Sequence, residues 1–577
     1  MTAADDARRS GSRHLRTYDP MAAPRIARLL AGFLVSAFVA QAAIAAMRDS
    51  VTIDEFVGLP VGLYTLQTVD FRSESMNPPF FRSFAALPLL SAGTLAPRIP
   101  PMNEINDWAM GYRFMEDYRQ GYHELFIPAR CMVILTATIL AALVLQWATE
   151  LYGWEAGLAA LALYAFSPTI LAQAHLVTLD ISGALGWTAA AYLTWRLLDD
   201  PGVWRATLLG LMLGLAPVMK LSAITTPIVC TLLIAVAAVR ERRARRSHWL
   251  AFLAIALFVA LFELNALYRF EGVGIAFRDI DFASARMTRA AASAPWLRLP
   301  IPKPFLKSLD VLFVGDQPTE PAYFFAGEWS LGGWWYYHIG AFLLKTSLPF
   351  LIVAGVAVGA WLARRSSGLR DYCVFIPALS IFVVNSVLNP LNIGVRHALP
   401  AYPLLAIGAA PWIAAPIARF AAEHRDVRTW ISGLAVVVLF AWHVCGSLRI
   451  APRYLEFFNE LAGGPSQGHR WLIDSSIDWG QDLIRLQEYM TKRHLSSVHL
   501  AYFGRVDPSV YGIGYTPIVE NESHGTAVVS ASFLMGRPYW IWRSPNQLAW
   551  SHHGAYRWLQ HYDPIARVGS MFVFELP

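Results

Sequence analysis

The segment ARLLAGFLVSAFVAQAAIAAMRDSVTIDEFVGLP (residues 27–60) joins a long apolar run to two adjacent carboxylates, Asp54 and Glu55. The run at about 27–47 is long enough to cross a bilayer core, which takes roughly 20 apolar residues as a helix. The acidic pair follows within a few residues, where such a helix leaves the membrane. It indicates either the capping of a solvated helix start, which acidic residues often provide, or a functional group at the membrane surface.

The composition of the whole chain predicts a multi-span helical membrane protein. Of its 577 residues, 55% are hydrophobic and only 15% are charged, and the mean hydropathy is +0.40. A water-soluble protein of this length carries far more charge. The net charge of +6 does not indicate nucleic-acid binding, because the basic residues cluster in short loops, as membrane topology requires.

Further apolar runs of similar length follow the first, which makes about eleven predicted spans. If the spans alternate in direction, all the basic loops fall on the same side as the N-terminus. Because positively charged loops stay in the cytoplasm, this predicts a cytoplasmic N-terminal tail at 1–26 and a C-terminus on the outer side. The predicted spans are 27–47, 129–148, 155–175, 181–198, 203–219, 221–239, 249–268, 337–362, 372–389, 398–418 and 429–448, and the basic loops are 240–248, 363–370 and 418–428.

Three segments are long enough to fold outside the membrane, namely the loops at 48–128 and 270–335 and the tail at 450–577. In the tail, DLIRLQEYMTKRH predicts an amphipathic helix, whereas SVHLAYFG, GTAVVSASF and ARVGSMFVFEL predict strands. The predicted organisation is therefore an all-α transmembrane module of about eleven helices at 27–449, followed by a small extracytoplasmic α/β domain.

Charged residues recur at the predicted outer ends of the spans, where an ionisable side chain is costly to bury and so suggests a function. Each one alone has a plainer interpretation. Basic side chains near helix ends usually extend to lipid headgroups, Asp180 could cap a helix, and Lys345, about 13 Å deep in its span, could pair with a glutamate such as Glu263 or Glu328. Their occurrence on one membrane face favours a shared site. The residues are Arg82, Asp180, Lys220, Lys345, Arg396 and His397.

This mixture of charges suits group transfer from a lipid phosphate. Cations can stabilise the phosphate as it leaves, and a carboxylate can take the proton of an attacking hydroxyl. A lipid phosphate leaves as a stable anion, so no separate general acid is required. The alternative is a secondary transporter, which intramembrane charges and broken spans also suit, although the chain has no paired repeats and its charges lie at one surface.

An ordered series of stretches resembles bacterial lipid-dependent membrane glycosyltransferases of the GT-C fold, close to the protein O-mannosyltransferase and aminoarabinose transferase group. The resemblance runs from about residue 27 into the C-terminal domain, and the series is far more specific than a lone acidic pair. The stretches are DEFVGLPVGLYTLQTVDF, NPPFFRSFAALPLL, SPTILAQAHLVTLD, GLAPVMKLSA, GEWSLGGWWYYHIGAFLLKTSLP, NIGVRHALPAYPLL, FFNELAGGP and DSSIDWGQDL.

The resemblance implies an inverting single displacement, from a polyprenyl-phosphate sugar donor to the hydroxyl of a glycan, lipid or protein acceptor. It implies that the reaction takes place at the outer face of a bacterial inner (plasma) membrane. Asp54 is then the candidate general base, Glu55 is its neighbour, and Asp180 matches a second acidic position of the family. A glycan polymerase or ligase of related fold is a further alternative.

The resemblance also implies a donor-phosphate site. Arg82 stands where relatives often have Lys after Pro-Pro, and Arg396 matches the Arg of a GxRxxxP pattern. Lys220, Lys345 and His397 are the other candidates for this site, because they too lie near the predicted outer face.

Two departures from the family pattern leave the donor sugar and any divalent metal open. Asn77 replaces a His before Pro-Pro, and no His follows the acidic pair. DSSIDWGQDL is expected to join the last span to the outer domain, and the cluster at 334–337 is expected to be an interfacial aromatic belt or a surface on which a sugar stacks.

Overall fold

A computed structural model describes residues 24–72, 77–97, 106–240, 243–314, 320–364, 368–389, 391–422, 427–520 and 523–577. The predicted tail at 1–26 and the three basic loops lie wholly or partly outside these ranges. The described chain is mainly helical. Its helices are α1 (Arg25–Arg48), α2 (Ile53–Thr68), α3 (Phe80–Ser91), α4 (Asp107–Asp117), α5 (Tyr122–Tyr152), α6 (Trp154–Ala165), α7 (Pro168–Gln173), α8 (Asp180–Asp199), α9 (Val203–Met219), α10 (Thr225–Arg240), α11 (Arg243–Leu267), α12 (Ala285–Ser293), α13 (Lys303–Val314), α14 (Tyr337–Lys345), α15 (Leu348–Ala363), α16 (Leu369–Leu388), α17 (Ala401–Ala422), α18 (Val427–Ile450), α19 (Leu483–Lys492) and α20 (Ala531–Met535).

Seven helical stretches in the described ranges are long and apolar enough to cross a membrane, so the chain is a multi-pass membrane protein. Further helices, such as α9 and α15, are apolar but shorter. The predicted number of about eleven spans stays a prediction. The seven stretches are Arg25–Arg48, Tyr122–Tyr152, Leu221–Val239, Ser247–Leu267, Asp371–Leu388, Ala401–Phe420 and Val427–Ile450.

Two of the predicted spans were wrong as continuous helices. The run at 155–175 is divided into α6 and α7, and the run at 337–362 is divided into α14 and α15. In both cases a proline lies at the start of the second helix, namely Pro168 and Pro349. Proline has no backbone N–H to donate and is favoured in the first turn of a helix, so it starts a new helix there.

Small residues allow some of the helices to approach closely. A Cβ atom built on Gly210 or Gly214 of α9 would lie only 2.6 Å from a backbone oxygen of α11, that of Ala256 or Ala260 respectively. Such glycines bring membrane helices into direct backbone contact. We therefore expect larger residues at these two positions to separate α9 from α11.

The first predicted outer loop is folded into helices. Helix α2 crosses α3 where Gly62 faces the backbone of Arg82, because a Cβ on Gly62 would lie 2.2 Å from the Arg82 carbonyl oxygen. It meets α4 where Gly111 faces the ring of Phe56. The loop therefore packs its acidic helix between two others.

The C-terminal segment forms the predicted small α/β domain. The predicted amphipathic helix is confirmed as α19, and it buries Leu483, Leu486 and Met490. The five-stranded sheet has the order β4-β3-β5-β9-β8, in which β3 pairs in parallel with β4 and β5, and β9 pairs antiparallel with β5 and β8. The strands are β3 (Val498–Ala501), β4 (Tyr515–Pro517), β5 (Gly525–Ser530), β8 (Ala566–Val568) and β9 (Met571–Leu576).

One predicted strand needs a correction. ARVGSMFVFEL is a hairpin of two strands, β8 and β9, which are joined through Gly569 with φ +60°. Two further hairpins lie outside the main sheet, and both are antiparallel. They are β1 (Tyr323–Phe325) with β2 (Glu328–Ser330), and β6 (Tyr539–Ser544) with β7 (Gln547–Ser551).

Candidate active site

The acidic pair lies in the first turn of α2, and its two carboxylates have different surroundings. Glu55 closes a capping box, because its Oε2 accepts hydrogen bonds from the backbone N–H and the hydroxyl of Thr52, both at 3.0 Å. Glu55 is fully buried, whereas the side chain of Asp54 is 36% exposed. The capping interpretation therefore describes Glu55, in a buried setting, and Asp54 is the accessible carboxylate of the pair.

Arg130 of α5 holds Glu55 in place from inside the helix bundle. Its Nε and Nη2 donate to the two carboxylate oxygens at 2.8 and 2.7 Å, and both side chains are 0% exposed. Its other N–H groups donate to the carbonyl oxygens of Ala46, Asp49 and Ser50. All five donors of this guanidinium are thus used, and they join the end of α1 to the start of α2.

A second cluster, which we call the charged quartet, consists of Asp54, Asp180, Lys220 and Arg396. Nη1 of Arg396 lies 2.5 Å from Oδ2 of Asp54 and 4.0 Å from Oδ2 of Asp180. Nζ of Lys220 lies 2.5 Å from Oδ1 of Asp180. Two carboxylates and two cations that are distant in sequence therefore alternate in one chain of contacts. Asp54 is its most exposed member, since the other side chains are 3 to 12% exposed.

Breaks in the helices bring the quartet together. Asp180 is the first residue of α8, and Lys220 follows α9 in an extended conformation before a 3₁₀ turn. Gly183, one turn into α8, leaves room for the lysine, because a Cβ there would lie 2.7 Å from Lys220 Cδ. Arg396 lies in the 3₁₀ turn Val395–Ala398, just before α17. The start of α8, the end of α9 and the turn before α17 thus bring three charged residues into one cluster with Asp54.

The DSSIDWGQDL segment supports the quartet from the side of the C-terminal α/β domain. The guanidinium carbon of Arg396 lies 4.5 Å from the ring centre of Trp479, a cation–π contact. The Trp479 carbonyl accepts from the N–H of Ile53, and that of Gln481 accepts from the N–H of Ser50. The segment therefore fixes Arg396 and the loop that carries Asp54 against each other.

The remaining predicted site residues have contacts of their own. Arg82 is 3.5 Å from Asp107 of α4. Nζ of Lys345 donates to the carbonyl oxygens of Leu455 and Ser476, at 2.8 and 2.6 Å. The expected alternative, a pairing of Lys345 with Glu263 or Glu328, was therefore wrong.

His397 lies against a second histidine. Its ring packs against that of His338 at a centroid distance of 5.5 Å, and it follows Arg396 directly in the same 3₁₀ turn. Whether Arg82, Lys345 or His397 binds a donor phosphate stays a prediction.

Arg130 and Trp479 are residues that sequence reasoning missed. Arg130 had a usable signal, because it is a charged residue inside the predicted span 129–148, and such residues deserve a functional explanation. Trp479 had no signal of its own, because one tryptophan among 21 is not distinctive until the fold brings it beneath Arg396.

The residues around the quartet do not fit a divalent metal. The carboxylates of Asp54 and Asp180 are each already paired with a cation, and two fixed positive charges would repel an incoming metal ion. In the described part of the chain, no group of three His, Cys, Asp or Glu side chains could hold one.

Asp478 of the DSSIDWGQDL segment is expected to make the stability of the folded protein depend on pH. Burial raises the pKa of this carboxyl to about 7, so the folded protein keeps a proton that the unfolded chain releases above about pH 4. Stability should then fall as pH rises from about 4 to about 7, and should be lowest above that window. Asp478→Asn is expected to flatten this slope and to stabilise the protein at about pH 8 by roughly 1–3 kcal/mol.

Thermal unfolding of the purified protein between about pH 5 and about pH 8 measures this effect. The variant should keep part of the slope, because burial also raises the pKa of Glu456 to about 7. Asp563→Asn, at an exposed position, is the control and should match the wild type. An unchanged slope in Asp478→Asn would show that this carboxyl is already charged at low pH.

The comparison with family models bears on the middle of the chain. Residues 123–265 match the model of the dolichyl-phosphate-mannose-protein mannosyltransferase family. The resemblance to the protein O-mannosyltransferase group is thus confirmed over this segment, which contains Arg130, Asp180 and Lys220. A comparison with curated protein sequences finds no match.

Several solved structures are similar to this chain at low sequence identity. ArnT from Cupriavidus metallidurans in the apo state has a TM-score of 0.43 and 12% identity, over 94% of this chain and 97% of that chain. The same protein bound to undecaprenyl phosphate has 0.42 and 12%, over 95% and 97%. Archaeal oligosaccharyltransferase AglB from Archaeoglobus fulgidus, in complex with an inhibitory peptide and a dolichol-phosphate, has 0.45 and 12%, over 90% and 74%.

Proposed function

We propose that this protein transfers a sugar from a polyprenyl-phosphate donor to an acceptor hydroxyl, with inversion at the anomeric carbon. The observation that carries the proposal is the charged quartet, in which an accessible Asp54 contacts Arg396, and Asp180 links Arg396 to Lys220. The family matched by residues 123–265 is described by a dolichyl-phosphate sugar, which is a donor of this chemical class.

Asp54 is the general base in this proposal. Its carboxylate takes the acceptor proton while the acceptor oxygen forms a bond to the anomeric carbon, on the face opposite the phosphate. The bond from that carbon to the phosphate oxygen breaks, and polyprenyl phosphate leaves with the electron pair. The exposure of Asp54 supports this role, because an acceptor can reach it, whereas Glu55 is enclosed by Arg130, Thr52 and Val177.

Arg396 and Lys220 stabilise the departing phosphate. Each is a cation with few routes to water, since their side chains are 12% and 10% exposed, and charge interactions strengthen where water is excluded. Asp180 lies between them and keeps both cations oriented before the donor arrives. Asp180 is therefore a positioning residue in this proposal, as is Glu55.

An apolar cavity of about 410 Å³ supports a lipid donor. It lies where α2, α3, α9 and the end of α11 meet, and Val218, two residues before Lys220, contributes to its wall. Its lining is mainly aliphatic and aromatic, which suits an isoprenoid chain. Residues that line it include Leu66, Phe80, Phe84, Leu87, Val218 and Leu267.

We infer that the site faces the outer side of a bacterial inner membrane, with the N-terminus in the cytoplasm and the α/β domain outside. The positions of the basic loops support this orientation. The quartet, the first outer loop and the α/β domain are in mutual contact, so they belong to one side of the bilayer whichever side it is.

The test uses the purified full chain with polyprenyl-phosphate-linked hexoses and aminopentoses, together with glycan, lipid and peptide acceptors. We expect release of polyprenyl phosphate and a product of inverted anomeric configuration. Arg396→Gln should lower kcat/KM for the donor by about 10²–10³-fold, Arg396→Lys should lose less, and Arg493→Gln, at an exposed position, should lose nothing. Retention of configuration, or full activity of Arg396→Gln, would refute the proposal.

A further inference from the structure

The outer domain and the first outer loop meet at an aromatic surface that the transfer step does not use. We call it the Arg505 platform, and it consists of Arg505, Trp108, Tyr112, Tyr539 and Trp540. The guanidinium carbon of Arg505 lies 4.3 Å from the ring centre of Trp108, 4.8 Å from that of Tyr539 and 5.8 Å from that of Trp540. One cation is thus enclosed by rings from two separate parts of the chain.

The charge of Arg505 is not neutralised by the described residues. Its Nε donates to the hydroxyl of Tyr539 at 3.0 Å and its Nη1 donates to that of Tyr112 at 2.9 Å. In the described ranges no carboxylate lies within 4.0 Å of it, although the residue is only 8% exposed. A nearly buried cation without an anion is unfavourable, so the platform is suited to a ligand that supplies a negative charge.

Exposed indole rings flank this cation. Trp108 and Trp540 are each 38% exposed and Trp550 is 41% exposed. Trp540 and Trp550 are paired across the β6–β7 hairpin, with ring centres 5.6 Å apart. The N–H of Trp550 donates to Glu320, which also bonds His552. Half-exposed rings set among planar polar groups suit the faces and hydroxyls of sugars better than a uniformly apolar partner.

The platform is directly connected to the candidate active site. Tyr112 packs against Phe56, which follows Glu55 in α2, with ring centres 4.9 Å apart. Trp108 follows Asp107, the residue 3.5 Å from Arg82. A ligand held on the platform would therefore lie against α2, the helix that carries Asp54, and next to the Arg82–Asp107 pair.

We propose that the Arg505 platform binds the acceptor, and that this acceptor is an anionic saccharide. The tryptophan rings would stack on sugar faces while Arg505 pairs with a carboxylate or phosphate of the same molecule. This inference rests on the proposed function, to which it adds the acceptor class. Trp540 and Arg505 are binding residues in it, and neither takes part in the bond-breaking step.

The test is a titration of the purified full chain in nanodiscs with short soluble saccharides, followed by tryptophan fluorescence and calorimetry. The probes are an oligogalacturonate, a phosphorylated oligomannose and neutral maltohexaose, with hexaglutamate as a peptide. We expect one anionic saccharide to bind at least about tenfold more tightly than the neutral one. The first two probes distinguish a carboxylate ligand from a phosphate ligand.

Single substitutions distinguish the contribution of the tryptophan rings to saccharide binding from that of the Arg505 charge. Trp540→Ala should weaken anionic saccharide binding by about tenfold or more, Trp540→Phe should recover part of it, and Arg505→Gln should remove the preference for charge. Trp296→Ala, a change at an indole that is 73% exposed outside the platform, is the control. Because Arg505 is buried and could be needed for folding, the exposed Trp540 carries the decisive comparison.

Other results would overturn the inference. Equal binding of neutral and anionic saccharides, tighter binding of hexaglutamate, or no saccharide binding would each contradict it. So would a Trp540→Ala variant that keeps its affinity for saccharides and loses only its affinity for phosphatidylglycerol vesicles. The two proposals also fail separately. If Asp54→Asn loses transfer activity but Trp540→Ala binds saccharides as the wild type does, only the role of the platform in acceptor binding is refuted. If Asp54→Asn stays active and the platform variants show the expected binding pattern, only the role of Asp54 as the base is refuted.

Discussion

Replacement of Asp54 by Asn is expected to lower kcat for sugar transfer by about 10²–10⁴-fold, the usual contribution of a general base. The amide has nearly the same shape as the carboxylate, and its oxygen can still accept a hydrogen bond from Arg396. It cannot take up the proton of an acceptor hydroxyl. Because the side chain is 36% exposed, we expect the unfolding temperature to change little.

The Michaelis constants make this prediction more specific. Asp54 holds one side of Arg396 at 2.5 Å, so it competes with a donor phosphate for that cation. Once its charge is removed, KM for the donor should stay the same or fall, while kcat falls. A residue that merely shapes the site would be expected to raise KM instead.

Two further variants complete this experiment. Asp54→Glu keeps a carboxylate but moves it by one methylene, so it should retain part of the activity that Asn loses. Asp563→Asn, a change at an exposed aspartate of the C-terminal α/β domain, should behave as the wild type. Full transfer activity in a folded Asp54→Asn protein would refute the role of Asp54 as the base.

The sequence was sufficient for the coarse fold because bilayers impose strong local rules. Apolar runs such as 203–219 have nearly the same limits as the helix Val203–Met219, since a lipid-facing helix must be apolar along its length. The strands of the C-terminal α/β domain were recognisable for a related reason, since SVHLAYFG and GTAVVSASF alternate or continue in apolar residues, as half-buried and buried strands do.

Tertiary features could not be predicted from local patterns. Hydropathy alone gives no boundary at the interruptions before Pro168 and Pro349, although the prolines themselves are a local signal that the predicted spans did not use. The three helices of the first outer loop depend on close contacts at Gly62 and Gly111, which involve residues far apart in sequence. Hydropathy therefore predicted where helices lie, and not where they break or cross.

The site likewise combines residues that could be predicted from the sequence with contacts that only the folded chain shows. Asp54, Asp180 and Arg396 could be selected because charged residues recur on one predicted membrane face and each had a position in an ordered motif series. Their alternation in one chain of contacts, and the cation–π support from Trp479, are properties of the folded chain. Glu55 illustrates the limit best, because its neighbour in sequence is accessible while Glu55 itself is enclosed by an arginine 75 residues away.

Replacement of Arg130 by Met is expected to be the most destabilising single change that this structure suggests, at about 3–5 kcal/mol. Glu55 would be left at 0% exposure without a cation, so its carboxyl would either stay charged with only Thr52 and the Val177 N–H as partners or take up a proton, and both cost free energy. The carbonyl oxygens of Ala46, Asp49 and Ser50 would lose their donors in the same step. We expect a lower unfolding temperature in detergent and a lower yield of folded protein.

A double variant distinguishes the effect of the uncompensated Glu55 charge from the effect of the lost Arg130 contacts. Glu55→Gln together with Arg130→Met removes both charges, so it should be more stable than Arg130→Met alone, because no uncompensated ion remains. The matched control is Arg48→Met, which breaks an exposed ion pair with Glu488 whose side chains are 46% and 33% exposed, and it should cost about 0–1 kcal/mol. Equal losses for Arg48→Met and Arg130→Met would contradict the interpretation.

The same pair of variants connects stability to function. Arg130 joins α1, α2 and α5, and α2 begins one residue before Asp54, so any movement of Glu55 also moves the proposed base. Catalysis is sensitive to displacements of about 1 Å. The double variant should therefore regain stability without regaining full kcat. Recovery of both would mean that Arg130 and Glu55 contribute charge neutralisation alone, and that the contacts of Ile53 with Trp479 are sufficient to position Asp54.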